Sequence, residues 1–381
     1  MTRTALIVGA GIGGLSAAIA LRRAGWHVRV FEQAASPREL GFGVALAPNA
    51  VAALRELGVA DTVLSRGFQP RRGEFRRMDG SVLKRVEMAP GSLGGPMLVA
   101  LRPALHGALL DAIDPAAFHL GRAVIGFAAT GDRVSLRLSD GATAEGDLLV
   151  GADGVGSIVR RTLHPDEQAP RRSGLVAVRG AVHHALAHLG DRDSILYLGH
   201  GVESTFVRAS ETGIYWYLSL AQQLIPAEMR NPEAIVAAMA PQFDRTFRAI
   251  TSATADMRVD ELFDRDPLPW WSRGPVTLLG DAAHPVLPHT GQGAAQAMVD
   301  AVTLARALQQ HGIETGLRAY ERERLPKTKA LLSQGRRTAR VMATTNPIAC
   351  TLREWVLRVI PVTTFARLFV RINRRAGTDA R

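Results

Sequence analysis

Residues 4–33 read TALIVGAGIGGLSAAIALRRAGWHVRVFEQ, and the fold turns on how this stretch is read. Residues 4–9 have the composition of a buried strand, Gly9 to Gly14 form a tight turn, and residues 14–25 read as a helix ended by Gly25. In HVRVFE, Val28 and Val30 alternate with Arg29 and Phe31 as a second strand. The turn carries Gly-X-Gly-X-X-Gly at Gly9, Gly11 and Gly14, with Gly13 inside it. In that pattern the first glycine makes the turn, the second admits a pyrophosphate to the backbone, and the third lets helix and strand pack closely. Unpaired amides and the positive end of the helix dipole then hold the phosphates. Glu32, followed by Gln33, stands where a carboxylate accepts from an adenosine ribose hydroxyl and repels a 2′-phosphate. The turn is therefore expected to hold FAD or NAD and not NADP; a bare βα turn without a ligand is the plainer alternative.

Two later stretches repeat the strand-tip design. LLVGADGVGSIVRR (residues 148–161) places Asp153-Gly154 after an apolar strand and before a helix. LLGDAAHPVLPHTGQGAAQAM (residues 278–298) places Gly280-Asp281 at another strand end, passes two histidines and two prolines, and enters a helix on small residues. Either acid alone reads as a helix cap. Three such tips in one chain are much harder to read as caps.

The 381 residues suffice for two domains, and 47% hydrophobic with 21% charged residues suits a globular protein. No run of about 18 apolar residues appears. After Met1-Thr2-Arg3 the chain enters its first strand, so no signal peptide is expected and the cytoplasm is the expected location. Cys350 stands alone, which excludes an intrachain disulfide, a Cys-X-X-Cys redox pair and a cysteine-based zinc site; no metal is expected. The net charge of +11 is almost all arginine, spread along the chain, with lysine only at 84, 327 and 329. A nucleic-acid partner is not expected.

The order of elements predicts an α/β fold: a discontinuous Rossmann-like domain over 1–73, 101–172 and 270–345, with an inserted antiparallel β-sheet substrate domain over 74–100 and 173–269. A C-terminal helical segment covers 346–381. Asp79-Gly80 reads as a hairpin turn, and 232–250 as helix. In the tail, Leu352, Trp355, Val356, Val359 and Ile360 recur at helical spacing, as do Phe365, Leu368, Phe369 and Ile372 beyond Pro361. Arg367, Arg371, Arg374 and Arg375 surround the second stripe. One reading is a helix packed on the body or a partner subunit; the other is peripheral contact with a membrane.

Together the three motifs, in this order and spacing, resemble the group A single-component FAD-dependent aromatic hydroxylases, the salicylate hydroxylase-like flavoprotein monooxygenases, over residues 4 to about 340. The resemblance implies FAD as cofactor, NADH or NADPH as co-substrate, and O₂ activated at flavin C4a as a hydroperoxide. It implies that Glu32 binds adenosine ribose, Arg102 the ribityl-pyrophosphate side, backbone at Val124 the adenine, and Asp281, beside Gly280, the ribityl chain. Asp153 would belong to the motif serving both FAD and the nicotinamide cofactor. Gly43 and Val44 would lie near the flavin, and Gly291, Gln292, Gly293, Ala294 and Ala295 against its ring. Val299 departs from the family, whose members often carry an acid there, before Asp300. Reduced flavin is negative at N1 and the C2 carbonyl, which amides at a helix start stabilise.

The implied substrate is an aromatic or polycyclic small molecule, deprotonated to enrich its ring in electrons. His289 is the candidate catalytic residue because an ordinary imidazole titrates near neutrality; a loop histidine with a satisfied hydrogen bond is the plainer reading. Tyr215 and Tyr217 point to one face of their strand and Trp216 to the other, so either set faces the pocket. Arg179 and Arg208 are candidates to hold a carboxylate. A flavoprotein dehydrogenase or oxidase, an epoxidase or Baeyer–Villiger oxygenase, and a non-catalytic flavin-binding module remain as alternatives.

Overall fold

The computed structural model describes residues 2–36, 41–89, 91–364, 366–367, 370–371 and 377. The chain opens with β1 (Thr4–Val8), α1 (Ile12–Arg23) and β2 (His27–Glu32), followed by β3 (Gly43–Leu46), α2 (Pro48–Leu57) and α3 (Ala60–Arg66). Pro48 stands at the start of α2, and Gly58 closes it in the left-handed region at φ 76°. The hairpin of β4 (Arg72–Arg77) and β5 (Val82–Glu87) turns at Gly80. β6 (Leu98–Leu101), α4 (Arg102–Asp111), β7 (Phe118–Leu120), β8 (Val124–Thr130), β9 (Arg133–Leu138), β10 (Thr143–Gly146), β11 (Leu148–Gly151) and α5 (Ile158–Leu163) come next. The middle of the chain supplies β12 (Arg171–His183), β13 (Ser194–Leu198), β14 (Val202–Arg208), β15 (Gly213–Ala221), α6 (Pro232–Met239), α7 (Arg245–Ser252) and β16 (Met257–Asp264). It closes with β17 (Val276–Leu278), α8 (Gly293–Met342) and α9 (Pro347–Val359).

Two sheets organise these elements. A five-stranded sheet, ordered β17-β11-β1-β2-β7, is parallel throughout, and β1, β11 and β17 are buried on both faces while β7 at the edge is half-buried. A seven-stranded sheet, ordered β16-β12-β15-β14-β13-β4-β5, is antiparallel except between β13 and β4. One face of it packs Trp216, Phe206, Ile214 and Leu218 against Phe243, Phe247 and Ile250 from around α7. The residues predicted as one sheet unit over 74–100 divide: β4 and β5 join the large sheet, whereas β6 pairs with β3. The helix predicted over 232–250 is two helices, because Pro241 interrupts it and Asp244 caps the second through its Oδ1. α8 bends at Gly312, which takes φ 73°. The second apolar stripe of the tail, at Phe365, Leu368, Phe369 and Ile372, with Arg374 and Arg375, lies outside the described residues.

Candidate active site

Because β11, β1 and β17 are adjacent and parallel, the three motifs leave the sheet at one carboxyl edge. Open parallel sheets bind ligands there. Gly9 takes φ 100°, and a Cβ on it would come within 2.5 Å of the Ala152 carbonyl oxygen. A Cβ on Gly14 would collide with the Gly9 carbonyl oxygen, so the third glycine brings α1 against the turn. Around Gly11 no atom lies within 4 Å of where a Cβ would be, which leaves room for a phosphate at the helix start. Gly13 faces inward instead, where a Cβ would meet Leu279 and Ala297; its part is packing α1 on α8.

The other predicted contacts line the same edge or stand back from it. Glu32 accepts at 2.9 Å from the Ala10 amide through one carboxylate oxygen and at 2.9 Å from the Ala34 amide through the other. Each oxygen keeps a lone pair for a ribose hydroxyl. Gln33 is exposed beyond it. Arg102 is the first residue of α4, its stem lying against Gly41, where a Cβ would fall 2.5 Å from Arg102 Cδ. Val124 begins β8 opposite Leu138. Asp153 is engaged locally: it accepts from Ser157 Oγ at 2.5 Å and from the amides of Ile158 and Val159 at 2.7 and 3.3 Å. Burial raises its pKa against those bonds. This is the cap geometry, and it holds the start of α5 beside the glycine turn.

A buried polar network fixes the loop into α8. Asp300, fully buried, accepts from Arg324 Nε at 2.7 Å and the Gly280 amide at 3.1 Å, and lies 2.5 Å from His284 Nε2. Burial would raise its pKa, but His284 and Arg324 outweigh burial and hold the carboxyl below its usual range. Arg324 also donates to Gln296, whose amide donates to Gln292 Oε1 at 3.2 Å; Asn49 donates to the same oxygen at 3.2 Å. Gln292 thus anchors the loop, and His284 is structural. Gly291 is left-handed at φ 62°, Ala294 half-buried and Ala295 buried. A Cβ on Gly293 would stand 3.8 Å from Asp281 Oδ1, so the exposed Asp281 carboxylate sits beside the start of α8.

The seven-stranded sheet forms the opposite wall. Trp216 points away, donating to Thr254 Oγ1 at 2.9 Å. Tyr215, Tyr217 and Ser219 point to the cofactor side, with the Tyr215 ring flat over Gly43, where a Cβ would overlap it. Val44 is buried in the β3–β6 pair. Arg208 lies over the Phe68 ring at 4.0 Å and donates to the carbonyls of Ser210 and Glu211; Arg179 pairs with Asp260 at 3.3 Å. Both arginines therefore have partners in the chain.

Glu203, opposite Ser219 in the β14–β15 register, is the residue that sequence reading missed. It is 4% exposed; one carboxylate oxygen accepts a short hydrogen bond from the Tyr217 hydroxyl, while Oε2 has no hydrogen-bond partner among the described residues. Burial pushes its pKa up to about 7, against the Tyr217 bond. His289 Nε2 lies 3.3 Å from Ser219 Oγ and 4.0 Å from Glu203 Oε2. Burial, then the Arg179 charge, lower the His289 pKa to about 4. Burial thus keeps the His289 imidazole in its neutral form, so the 4.0 Å contact is no ion pair, and Glu203 stands beside it as a second candidate for the proton transfer.

A glycine turn on a parallel sheet, two further strand tips at the same edge and an antiparallel sheet closing over them define a flavin-dependent hydroxylase architecture. The family model described as the FAD binding domain matches residues 2–335. The chain is 34% identical to the 3-amino-4-hydroxybenzoate 2-monooxygenase of Streptomyces cremeus over 92% of its length and 91% of that relative's. It is 33% identical to the aurachin C monooxygenase/isomerase of Stigmatella aurantiaca over 94% of each. Among solved structures, HpxO of Klebsiella pneumoniae, complexed with FAD and uric acid, superposes with a TM-score of 0.92 at 26% identity, covering 98% of this chain and 97% of that one. The chain belongs to the FAD binding domain family and is an FAD-dependent monooxygenase. Among the described residues, no helix is long and apolar enough to cross a membrane.

Proposed function

We propose that the protein inserts one atom of O₂ into an aromatic or heteroaromatic small molecule bearing an ionisable ring hydroxyl, drawing electrons from NADH or NADPH. FAD, when bound, supplies the redox chemistry that passes those electrons to O₂ and the oxygen to the ring. The Gly9–Gly14 turn and the start of α1 take the pyrophosphate, Glu32 the adenosine ribose, Arg102 the ribityl-pyrophosphate side, and Asp281 the ribityl chain. The backbone around Val124 meets the adenine. Gly43 and Val44 border the flavin, and the amides of Gly291 to Ala295 stabilise negative charge on its ring. Asp153 supports the turn from behind.

The chain's own chemistry is a proton transfer. Glu203 Oε2 accepts the proton of the substrate hydroxyl, the Tyr217 hydroxyl steadies the other carboxylate oxygen, and neutral His289 hydrogen-bonds the substrate. The observation that carries this reading is the set of buried, unpartnered polar atoms along the seam between β14–β15 and the loop into α8: Glu203 Oε2, His289 Nδ1 and Thr290 Oγ1. Apolar packing leaves no such atoms, and a polar aromatic ligand satisfies them. The relatives' names support the substrate class, since each printed activity is on an aromatic or heteroaromatic ring.

The test is turnover of hydroxylated benzoates, pyridines and quinolones under ¹⁸O₂ with NADH or NADPH. Label in the product supports the reading; oxidised product without label returns the chain to a dehydrogenase or oxidase. Glu203→Gln should lower kcat by about a hundredfold or more and flatten the rise of kcat with pH near 7; an unchanged profile removes Glu203 from the proton transfer.

A further inference from the structure

Helix α9 is built inside out. Successive residues turn by about 100°, which puts Ile348, Leu352, Trp355 and Val359 on one narrow stripe, and they are 80%, 57%, 58% and 53% exposed. The opposite face carries Cys350, Arg353 and Glu354, all buried. Arg353 donates to the carbonyls of Met342 at 2.7 Å and Gly199 at 2.9 Å, and Glu354 accepts from Arg77 Nε at 2.8 Å. Lys84 Nζ donates to the Ile360 carbonyl just beyond the helix. Polar bonds clip the helix to the body, and the side that a packed helix would bury looks outward.

Charge is concentrated around it. The arginines are spread along the chain, but the acids are not: residues 326–377 hold eleven lysines and arginines and a single acid, Glu354, and of those cations Lys327 and Arg336 pair with acids outside the segment. Arg337, Arg340, Arg358, Arg367 and Arg371 are exposed. Glu354, turned inward onto Arg77, neutralises none of them.

We propose that the α9 stripe lies in the surface of a lipid bilayer containing anionic lipid, with the surrounding arginines on the headgroups. An apolar stripe flanked by cations is the pattern of in-plane amphipathic helices. A nucleic acid answers the charge but not the four outward apolar residues. A second copy of the chain answers the stripe but sets the same exposed arginines against those of the first. This proposal does not rest on the reading of Glu203, and its assays do not use turnover.

The test is sedimentation of the holoenzyme with vesicles of phosphatidylcholine alone and of phosphatidylcholine mixed with phosphatidylglycerol. Binding to the mixed vesicles alone, weakening with salt, is expected, together with a blue shift of tryptophan emission that Trp355→Phe abolishes. Ile348→Ser and Trp355→Ser should each weaken binding about tenfold, and Arg358→Gln roughly fivefold, with flavin content and circular dichroism unchanged. Where a variant loses its flavin, Leu352→Ser takes its place. Absence of vesicle binding overturns the proposal, as does binding that the serine variants leave intact. A dimer that Trp355→Ser dissociates, without vesicle binding, assigns the stripe to a second copy and also overturns it.

Discussion

Replacing Glu203 by Gln should make the folded protein more stable, by an amount that grows as pH rises from about 4.5 to 7 and is full above that. Burial raises this carboxyl from 4.5 to about 7. Below pH 4.5 it is protonated in folded and unfolded chains alike, and no pH-linked penalty exists. Between 4.5 and 7 the unfolded chain gives up the proton while the folded chain keeps it, so stability falls by about 1.4 kcal/mol for each pH unit. Above 7 both forms are ionised and the full penalty, about 3 kcal/mol, is present. Glutamine keeps the acceptor for the Tyr217 hydroxyl and does not titrate. The variant should therefore gain about 3 kcal/mol over the parent at pH 8 and less than about 1 kcal/mol at pH 5. His289 hides this in the parent: its pKa falls from 6.5 to about 4 on folding, so its contribution is present above 6.5 and lost as pH falls toward 4. The two slopes oppose each other between about 4.5 and 6.5. Urea unfolding of parent and variant at both pH values, followed by circular dichroism, measures the difference. An equal gain at pH 5 and pH 8, or a loss at pH 8, would refute the assignment of Glu203 as a buried acid titrating near 7.

Asp281→Ala should weaken FAD binding by at least about tenfold, since a charged hydrogen-bond acceptor is lost beside the start of α8; flavin content equal to the parent's would show that the carboxylate is misplaced. Arg324→Met leaves fully buried Asp300 with only His284 and the Gly280 amide and should cost about 3–5 kcal/mol in denaturant unfolding. A cost under 1 kcal/mol would mean that Arg324 does not hold that network. Gly14→Ala forces a Cβ onto the Gly9 carbonyl and should yield protein that is colourless or insoluble; a yellow, soluble variant would show that the turn can open. His289→Asn should lower substrate affinity more than it alters the pH profile, read from KM against kcat, and a displaced profile would restore the imidazole as the titrating group.

Legibility of the sequence followed the range over which each feature is determined. Gly9, Gly11, Gly14 and Glu32 were readable because a turn, a helix start and a strand end lie within one short stretch, and glycine there answers a local steric demand. The strand tip at Gly280-Asp281 and the entry into a helix on small residues after Gly291 were readable as local structure for the same reason. Glu203 was not, because its significance depends on facing Ser219 across a hairpin and meeting His289 from a loop far along the chain. The signal available was an acid near the start of the apolar strand Val202–Arg208. Asp300 gave the same kind of hint, an acid inside the apolar run from Ala297 to Val302, but its partner Arg324 lies beyond the bend at Gly312, which periodicity does not foretell. The face of the Tyr215–Tyr217 strand stayed undecided because a period of two fixes which residues go together and not which way they look.

The three tips that meet at one edge of the parallel sheet come from residues near 9, 153 and 280; β1 is made first, and β11, the strand between it and β17, comes much later. A chain leaving the ribosome exposes the glycine turn long before β11 exists to pair with β1 or β17 to pair with β11, and such long loops close slowly. On the proposed site, flavin capture waits for the third tip, and yellow colour in a nascent-chain experiment should appear only once residues past Ala295 are free to fold.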